Sequence, residues 1–217
     1  MLKRGLGVQA ADVLRDDILS GALQPGQQIT EEGLAKQLGV SRGTIRTSIQ
    51  QLVHEGIVRY EPYKGNAVRS LSAHDAWEIY TLRNVLEALA SRLAAQAITE
   101  EGKAQLEKAV ATLKTAIAGG EQNAIVNADF ALHVIIFQLS KHELLLAQYK
   151  QLESLTRLYM NTLSGYRADL DELLNEHVTL VVAITSGDAD RAKKIAQEHN
   201  TKDGQFLQQQ LNKMHAL

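Results

Sequence analysis

The distribution of proline divides this chain of 217 residues into two segments. Its two prolines, Pro25 and Pro62, both lie in the first 70 residues, and the remainder is rich in Ala, Leu, Glu, Gln and Lys. Ala, Leu, Glu, Gln and Lys favour the α-helix, whereas proline interrupts it. The sequence therefore predicts a small domain over residues 1–71 and an all-helical domain over residues 72–217.

The bulk composition excludes several classes of protein. Apolar residues make up 45% of the chain, which is enough for a packed core. Because there is no cysteine, any metal ion would be bound by imidazole, carboxylate or water rather than thiolate. The N-terminus lacks the apolar region of a secretion signal, and no apolar run is long enough to span a bilayer. We therefore expect a cytoplasmic protein that does not contact membranes.

The first segment has the pattern of a winged helix-turn-helix. Its predicted elements are helices over residues 7–20, 31–38 and 42–54 and strands over residues 57–60 and 66–70. Thr30 and Ser41 each precede a helix, where a hydroxyl can accept a hydrogen bond from a free backbone N–H. Gly39 lies between the second and third helices, where a tight turn is needed. Three helices followed by a β-hairpin make up this fold.

The beginning of the third predicted helix carries small polar and basic side chains. Such side chains suit a recognition helix because its first turns enter the major groove of DNA. A glycine and a lysine at the tip of the hairpin would suit contacts with the DNA backbone. The residues predicted to contact DNA are Ser41, Arg42, Gly43, Thr44, Arg46, Lys64, Gly65 and Asn66. The alternative is that the arginines are simply solvated helix residues.

The second segment is predicted to form about six antiparallel helices joined by short linkers. The first of these runs from Ser72 to about Ala97, and the others cover residues 100–118, 121–140, 142–164, 166–185 and 188–213. Asp129 and His133, four residues apart, share one helix face, while His177 and His199 lie on two later helices. The alternative for each histidine is a core or surface residue with ordinary partners, and the sequence alone does not show that the four positions converge.

The first segment resembles the winged-helix domain of the GntR family of bacterial repressors. The resemblance is carried by residues 18–26, 34–42, 45–46, 52, 55–56, 65 and 68. The family usually has Thr-Pro where this chain has Gly43-Thr44, and often Glu-Ala-Leu where it has residues 47–49. These departures concern the operator sequence rather than the ability to bind DNA.

The second segment resembles the FCD ligand-binding domain of the FadR subfamily of GntR proteins. The matching residues are 83–87, 129–133, 176–177, 183, 187–188, 192 and 199. The resemblance implies that one divalent metal ion (Zn, Ni, Co or Mn) is bound by an Asp and three His. Position by position, these ligands are Asp129, His133, His177 and His199. Leu132 and His142 stand where many members have Phe and Asn, and neither change removes a ligand.

The same resemblance implies that a small carboxylate completes the coordination of the metal. Arg83 is the natural second anchor for this effector, although a salt bridge to Glu87 is an equally good expectation for it. Arg157 and Tyr166 are weaker effector-binding candidates, as is Tyr159.

Taken together, these features predict a ligand-responsive bacterial transcription regulator, a repressor that binds operator DNA as a homodimer and is not an enzyme. One alternative is a metal-dependent hydrolase on a helical bundle, which the sequence disfavours because it offers no obvious separate general base: Glu176 adjoins His177, but its helical position points elsewhere. Another alternative is a regulator in which the metal is purely structural.

Overall fold

The computed structural model describes residues 5–162 and 169–215. It divides into two compact units, one formed by Met1–Leu71 with Ser154–Thr162 and the other by Ser72–Glu153 with Leu163–Leu217. The predicted fold class is confirmed, because the chain is mainly helical, with a winged helix-turn-helix followed by an all-helical region.

The elements of the first unit follow from local capping signals. They are α1 (Leu6–Leu19), β1 (Gln28–Ile29), α2 (Glu31–Leu38), α3 (Arg42–His54), β2 (Val58–Glu61) and β3 (Gly65–Val68). The Thr30 hydroxyl accepts a hydrogen bond from the Gly33 amide, and Ser41 accepts one from Thr44. Gly39 ends α2 with φ +66°, a conformation that glycine adopts without strain. These three residues therefore fix the two helices of the helix-turn-helix.

The wing is a three-stranded antiparallel sheet in the order β1-β3-β2. Ala67 of β3 pairs with Arg59 on one side and with Gln28 on the other. The prediction of a two-stranded hairpin omitted β1, which at two residues is too short to show an alternating pattern. The buried side chains of this unit include Leu14, Ile45 and Leu52, which come from α1 and α3.

Six helices are described in the chain after Leu71. They are α4 (Ala73–Gln96), α5 (Glu100–Gly119), α6 (Gln122–Leu139), α7 (Glu143–Thr162), α8 (Leu170–Thr185) and α9 (Ala189–His215). The end of one of them, α7, belongs to the first compact unit. The helix predicted over residues 166–185 is described from Leu170 onwards, and its predicted first turn lies outside the described residues. The predicted end of the helix over residues 142–164 also lies outside the described residues, and the remaining predicted and observed ends agree to within two residues. In the described ranges no helix is both long and apolar enough to cross a bilayer.

Helices α4 and α9 pack closely and run antiparallel. Tyr80 near the start of α4 meets Gly204 late in α9, whereas Arg92 near the end of α4 pairs with Asp190 at 3.4 Å. A Cβ atom on Gly204 would lie only 2.7 Å from the Cβ of Tyr80, so the absence of a side chain allows this approach. This pairing aligns the middle of α4 with the middle of α9.

Candidate metal centre and candidate nucleic-acid interface

Three buried imidazoles converge inside the helical unit. His133 comes from α6, His177 from α8 and His199 from α9, and each offers a ring nitrogen within 4.8 Å of the other two. The Nε2 atoms of His133 and His177 are 3.2 Å apart. The structure thus brings together three of the four predicted ligands, which lie far apart in the sequence.

The fourth predicted ligand, Asp129, adjoins this cluster. It lies one turn before His133 on α6, and its Oδ1 atom is 2.8 Å from Nε2 of His177. Burial acts to raise the pKa of the Asp129 carboxyl, but the neighbouring His177 outweighs burial and holds that pKa well below its ordinary value. Asp129 is therefore a buried, ionised carboxylate in contact with one imidazole of the cluster, that of His177.

The outward-facing nitrogen of every imidazole contacts an oxygen atom. Nδ1 of His133 lies 2.9 Å from Oε2 of Glu87, Nδ1 of His177 lies 2.8 Å from the Leu173 carbonyl, and Nδ1 of His199 lies 3.1 Å from Oε2 of Glu176. Carboxylates and carbonyls only accept hydrogen bonds, so Nδ1 of each ring carries a proton. Nε2 of His133 and Nε2 of His177 face one another across the cluster, whereas Nε2 of His199 lies 3.6 Å from Oδ2 of Asp203.

The converging Nε2 atoms fit a bound cation. Two nitrogen lone pairs 3.2 Å apart repel one another in a buried site unless a proton or metal ion lies between them. Nε2 of His177 also faces the Asp129 carboxylate, which has no proton to donate. Neutral imidazoles with one carboxylate are a suitable donor set for divalent transition metals. The residues present therefore fit the metal that the sequence led us to expect.

Glu87 connects this cluster to α4 and α9. Its carboxylate accepts hydrogen bonds from Nε of Arg83 at 2.8 Å, Nδ1 of His133 at 2.9 Å and Nδ2 of Asn200 at 2.9 Å. Burial acts to raise the pKa of Glu87, but Arg83 and His133 outweigh it and lower that pKa strongly. The sequence indicated the Arg83–Glu87 pair through its four-residue spacing, whereas nothing in it indicated the contacts with His133 and Asn200.

Glu176 was expected to point elsewhere than its neighbour His177, and the structure places it against His199. Glu176 accepts from Nδ1 of His199 at 3.1 Å and also pairs with Nζ of Lys202 at 2.7 Å. The expectation considered α8 alone, whereas α9 lies against the side of α8 that carries Glu176. Burial acts to lower the pKa of His199, but Asp203 and Glu176 together outweigh it, so that this pKa is raised.

The effector-binding candidates lie in different places. Arg83 is buried in its salt bridge with Glu87, with its guanidinium 4.8 Å from the centre of the Tyr80 ring. Arg157 is half-buried on α7, and Tyr159 is buried on the same helix; both belong to Ser154–Thr162, which groups with the winged-helix unit. Tyr166 lies outside the described residues. Among the described residues, Arg83 is therefore placed beside the metal cluster through Glu87, which also contacts His133.

The recognition helix presents the predicted DNA-contacting residues at its exposed beginning. Ser41 and Thr44 share a hydrogen bond of 2.8 Å between their hydroxyls, and Arg42 and Gly43 are exposed. Arg46 is 61% exposed and donates to both carboxylate oxygens of Glu31, at 2.9 and 2.8 Å. This pair lowers the pKa of Glu31. Arg42 is therefore more readily available to DNA than Arg46, which must first leave Glu31.

The wing carries a second basic side chain, next to a glycine at its turn. Lys64 is 72% exposed and lies 3.6 Å from Glu61, while Gly65 adopts φ +88° at the turn. Asn66 is half-buried in β3, where it pairs with Tyr60. Lys64 is therefore an exposed basic side chain of the wing that can reach a DNA backbone.

This combination of a winged helix-turn-helix and an all-helical unit with a buried polar cluster defines a DNA-binding regulator with a ligand-binding domain. Residues 6–68 match the family described as bacterial regulatory proteins, gntR family, and residues 78–202 match the FCD domain. The chain therefore belongs to the GntR-type transcription regulators that carry an FCD domain. Such regulators bind operator DNA, and FCD domains bind small-molecule effectors.

Similarity to known proteins extends over nearly the whole chain. The uncharacterized HTH-type transcriptional regulator YdhC of Bacillus subtilis is 29% identical over 92% of this chain and 90% of its own length. The gluconate operon transcriptional repressor of Bacillus licheniformis is 29% identical over 85% of this chain and 77% of its own. The structure of E. coli McbR/YncC has a TM-score of 0.79 and 24% identity, covering 95% of this chain and 99% of that one, which supports the fold.

Proposed function

We propose that this protein is a metabolite-responsive repressor of the FadR subfamily, controlled by a small carboxylate that binds at a divalent metal ion. The metal ligands are His133, His177, His199 and Asp129. The observation that carries this proposal is the convergence of three buried imidazoles, each with an oxygen atom at Nδ1, and with Nε2 of His133 and Nε2 of His177 only 3.2 Å apart. Such outer hydrogen bonds are typical of metal-binding histidines.

The metal would be Zn, Ni, Co or Mn, since imidazole and carboxylate ligands suit all four ions. When bound, the ion supplies coordination positions for a carboxylate or hydroxy acid. Arg83 lies next to this cluster through Glu87 and brings a positive charge for the same anion. A small anionic metabolite therefore matches the charge of the site better than a neutral or apolar ligand.

Repression is supported by the printed function of a relative, the gluconate operon repressor. The effector acts by binding the DNA-competent and DNA-incompetent states with different affinity. In this scheme the carboxylate changes operator affinity without being chemically altered, so no catalytic base is required.

A homodimer is supported by an exposed apolar stripe on the helical unit. Leu82, Val85 and Leu89 lie on one face of α4 and are exposed, as is Val182 on α8, a helix that contacts α4. Helix-turn-helix proteins read paired half-sites as dimers. Sedimentation equilibrium of the purified chain tests this point, and a monomer at concentrations that saturate operator DNA would contradict it.

The central experiment combines metal analysis with DNA binding. We expect about one metal ion per chain in the purified wild type and less than a tenth of that in His177→Ala, because one ligand and the contact to Asp129 are lost. His142→Ala is the matched control, since His142 is exposed and caps α7 through the Leu145 amide. Operator DNA would be selected from a random pool by the purified protein and titrated by fluorescence anisotropy.

Carboxylate metabolites are then added to metal-loaded protein bound to this DNA. A sugar acid, hydroxy acid or dicarboxylate is expected to change the operator affinity at least fivefold, and His177→Ala is expected to lose this response. A metal that is present while no carboxylate alters DNA binding would favour the structural-metal alternative. Turnover of a carboxylate or ester by the loaded protein would favour the hydrolase instead.

A further inference from the structure

The three imidazoles of the cluster are oriented in two different ways. His177 donates to the Leu173 carbonyl of its own helix, four residues earlier. His133 and His199 instead contact carboxylates on neighbouring helices, Glu87 on α4 and Glu176 on α8. The orientation of these two rings therefore depends on the carboxylates of Glu87 and Glu176, which are not among the proposed metal ligands.

Glu87 is surrounded by hydrogen-bond donors. It is only 2% exposed, and Arg83, His133 and Asn200 all direct N–H groups at its two oxygens. A carboxylate can accept from all three, whereas an amide has a single oxygen and would turn its NH₂ group towards another donor. The positive charge of Arg83 stabilises the ionised form of Glu87 within the low-dielectric interior.

We propose that Glu87 is a positioning residue for the metal centre: it fixes His133 as the tautomer with its lone pair on Nε2 and holds the ring towards His177 and His199. Arg83 and Asn200 in turn hold the Glu87 carboxylate from α4 and α9. The inference rests on the proposed metal-binding function. In this proposal the buried Arg83–Glu87 pair orients a metal ligand, in addition to neutralising two buried charges.

Glu176 provides an internal comparison. Its side chain is 17% exposed and is shared between His199 and the half-exposed Lys202. Water and Lys202 can compensate in part for its loss, and its distance to the imidazole is longer, 3.1 Å against 2.9 Å. Glu87 should therefore contribute more to metal affinity than Glu176.

The test measures metal affinity by competition of the full-length protein with a chelating dye, using Zn or Ni. Glu87→Gln is expected to weaken binding by roughly 10- to 100-fold, the range typical of outer hydrogen-bond partners of metal-bound histidines. Glu176→Gln is expected to weaken it less. Matched controls are Glu78→Gln, exposed on α4, and Glu172→Gln, which pairs with Lys202 but contacts no imidazole. Both controls should bind metal like the wild type.

A second measurement separates positioning from a general loss of structure. In chelated protein, the ¹⁵N chemical shifts of the His133 ring should report a proton on Nδ1 in the wild type and a mixture of tautomers in Glu87→Gln. If the unbalanced charge of Arg83 prevents folding of that variant, Arg83→Met combined with Glu87→Gln removes both charges and should show the same loss.

Two results would decide against parts of the proposal. Metal binding within twofold of wild type in Glu87→Gln, with His133 still protonated only at Nδ1, would overturn the positioning role of Glu87. A wild type that binds no metal would overturn the proposed metal-dependent function, while the tautomer measurement in metal-free protein would still decide whether Glu87 fixes His133.

Discussion

The winged-helix unit and the helical unit place their functional side chains in opposite environments. Arg42, Arg46 and Lys64 are exposed and lie within a few residues of the turns that present them. His133 and His177 are buried and come from helices separated by more than thirty residues of sequence. The candidate DNA-binding side chains of the first unit thus lie on its surface, and the candidate metal ligands of the second lie in its interior.

This difference predicts different consequences of mutation. An exposed arginine has water to replace its partners, so its loss should affect DNA binding and leave stability unchanged. A buried histidine has partners that its removal leaves unsatisfied, so its loss should affect both metal binding and stability. Four substitutions test this contrast.

The largest effect is expected for His133→Ala in the presence of a chelator. The substitution opens a cavity and removes a donor from the buried Glu87 carboxylate, which should lower the free energy of unfolding by about 2–4 kcal/mol. Urea unfolding measures this change. His54→Ala is the control in the other unit, since His54 is exposed in the last turn of α3 and should change stability by less than about 0.5 kcal/mol. Similar small effects for both variants would contradict the contrast between the two units.

An intermediate effect is expected for Gly204→Ala. Its new Cβ atom would lie 2.7 Å from the Cβ of Tyr80, so α4 and α9 must separate, at a cost of about 1–3 kcal/mol in the free energy of unfolding. Because α4 carries Glu87 and α9 carries His199, metal affinity should fall as well. Gly119→Ala is the control, as a side chain there meets open space. Equal thermal unfolding midpoints for the two variants would argue against tight α4–α9 packing.

Arg42→Ala and Arg46→Ala should alter operator affinity alone. Each is expected to weaken binding by about 1–3 kcal/mol if it reads a base, or to reduce the slope of affinity against salt concentration by about 1 if it contacts a phosphate. Arg46 should show the smaller effect because it must give up two hydrogen bonds to Glu31. Fluorescence anisotropy measures both quantities, with Arg92→Ala of α4 as the control. Unaltered DNA binding in both variants would refute the placement of the recognition helix.

The sequence was most informative where structure depends on neighbouring residues. Thr30, Gly39 and Ser41 indicated the helix-turn-helix in the sequence because capping and tight turns are local interactions. The short strand β1 was missed because its residues Gln28 and Ile29 pair with Ala67 and Asn66 of β3, which are distant along the chain. The helix ends of the second segment that lie within the described residues were predicted to within two residues for the same local reason.

The sequence by itself determined the helices, the winged motif and the residue types available for DNA and metal binding, since these follow from periodicity, capping and side-chain chemistry. Only the tertiary structure decided that His133, His177 and His199 converge, that Glu176 faces His199, and that Glu87 joins Arg83, His133 and Asn200. The physical reason is that each of these contacts depends on how helices distant in sequence pack, and that packing is set by long-range complementarity such as the approach of Gly204 to Tyr80.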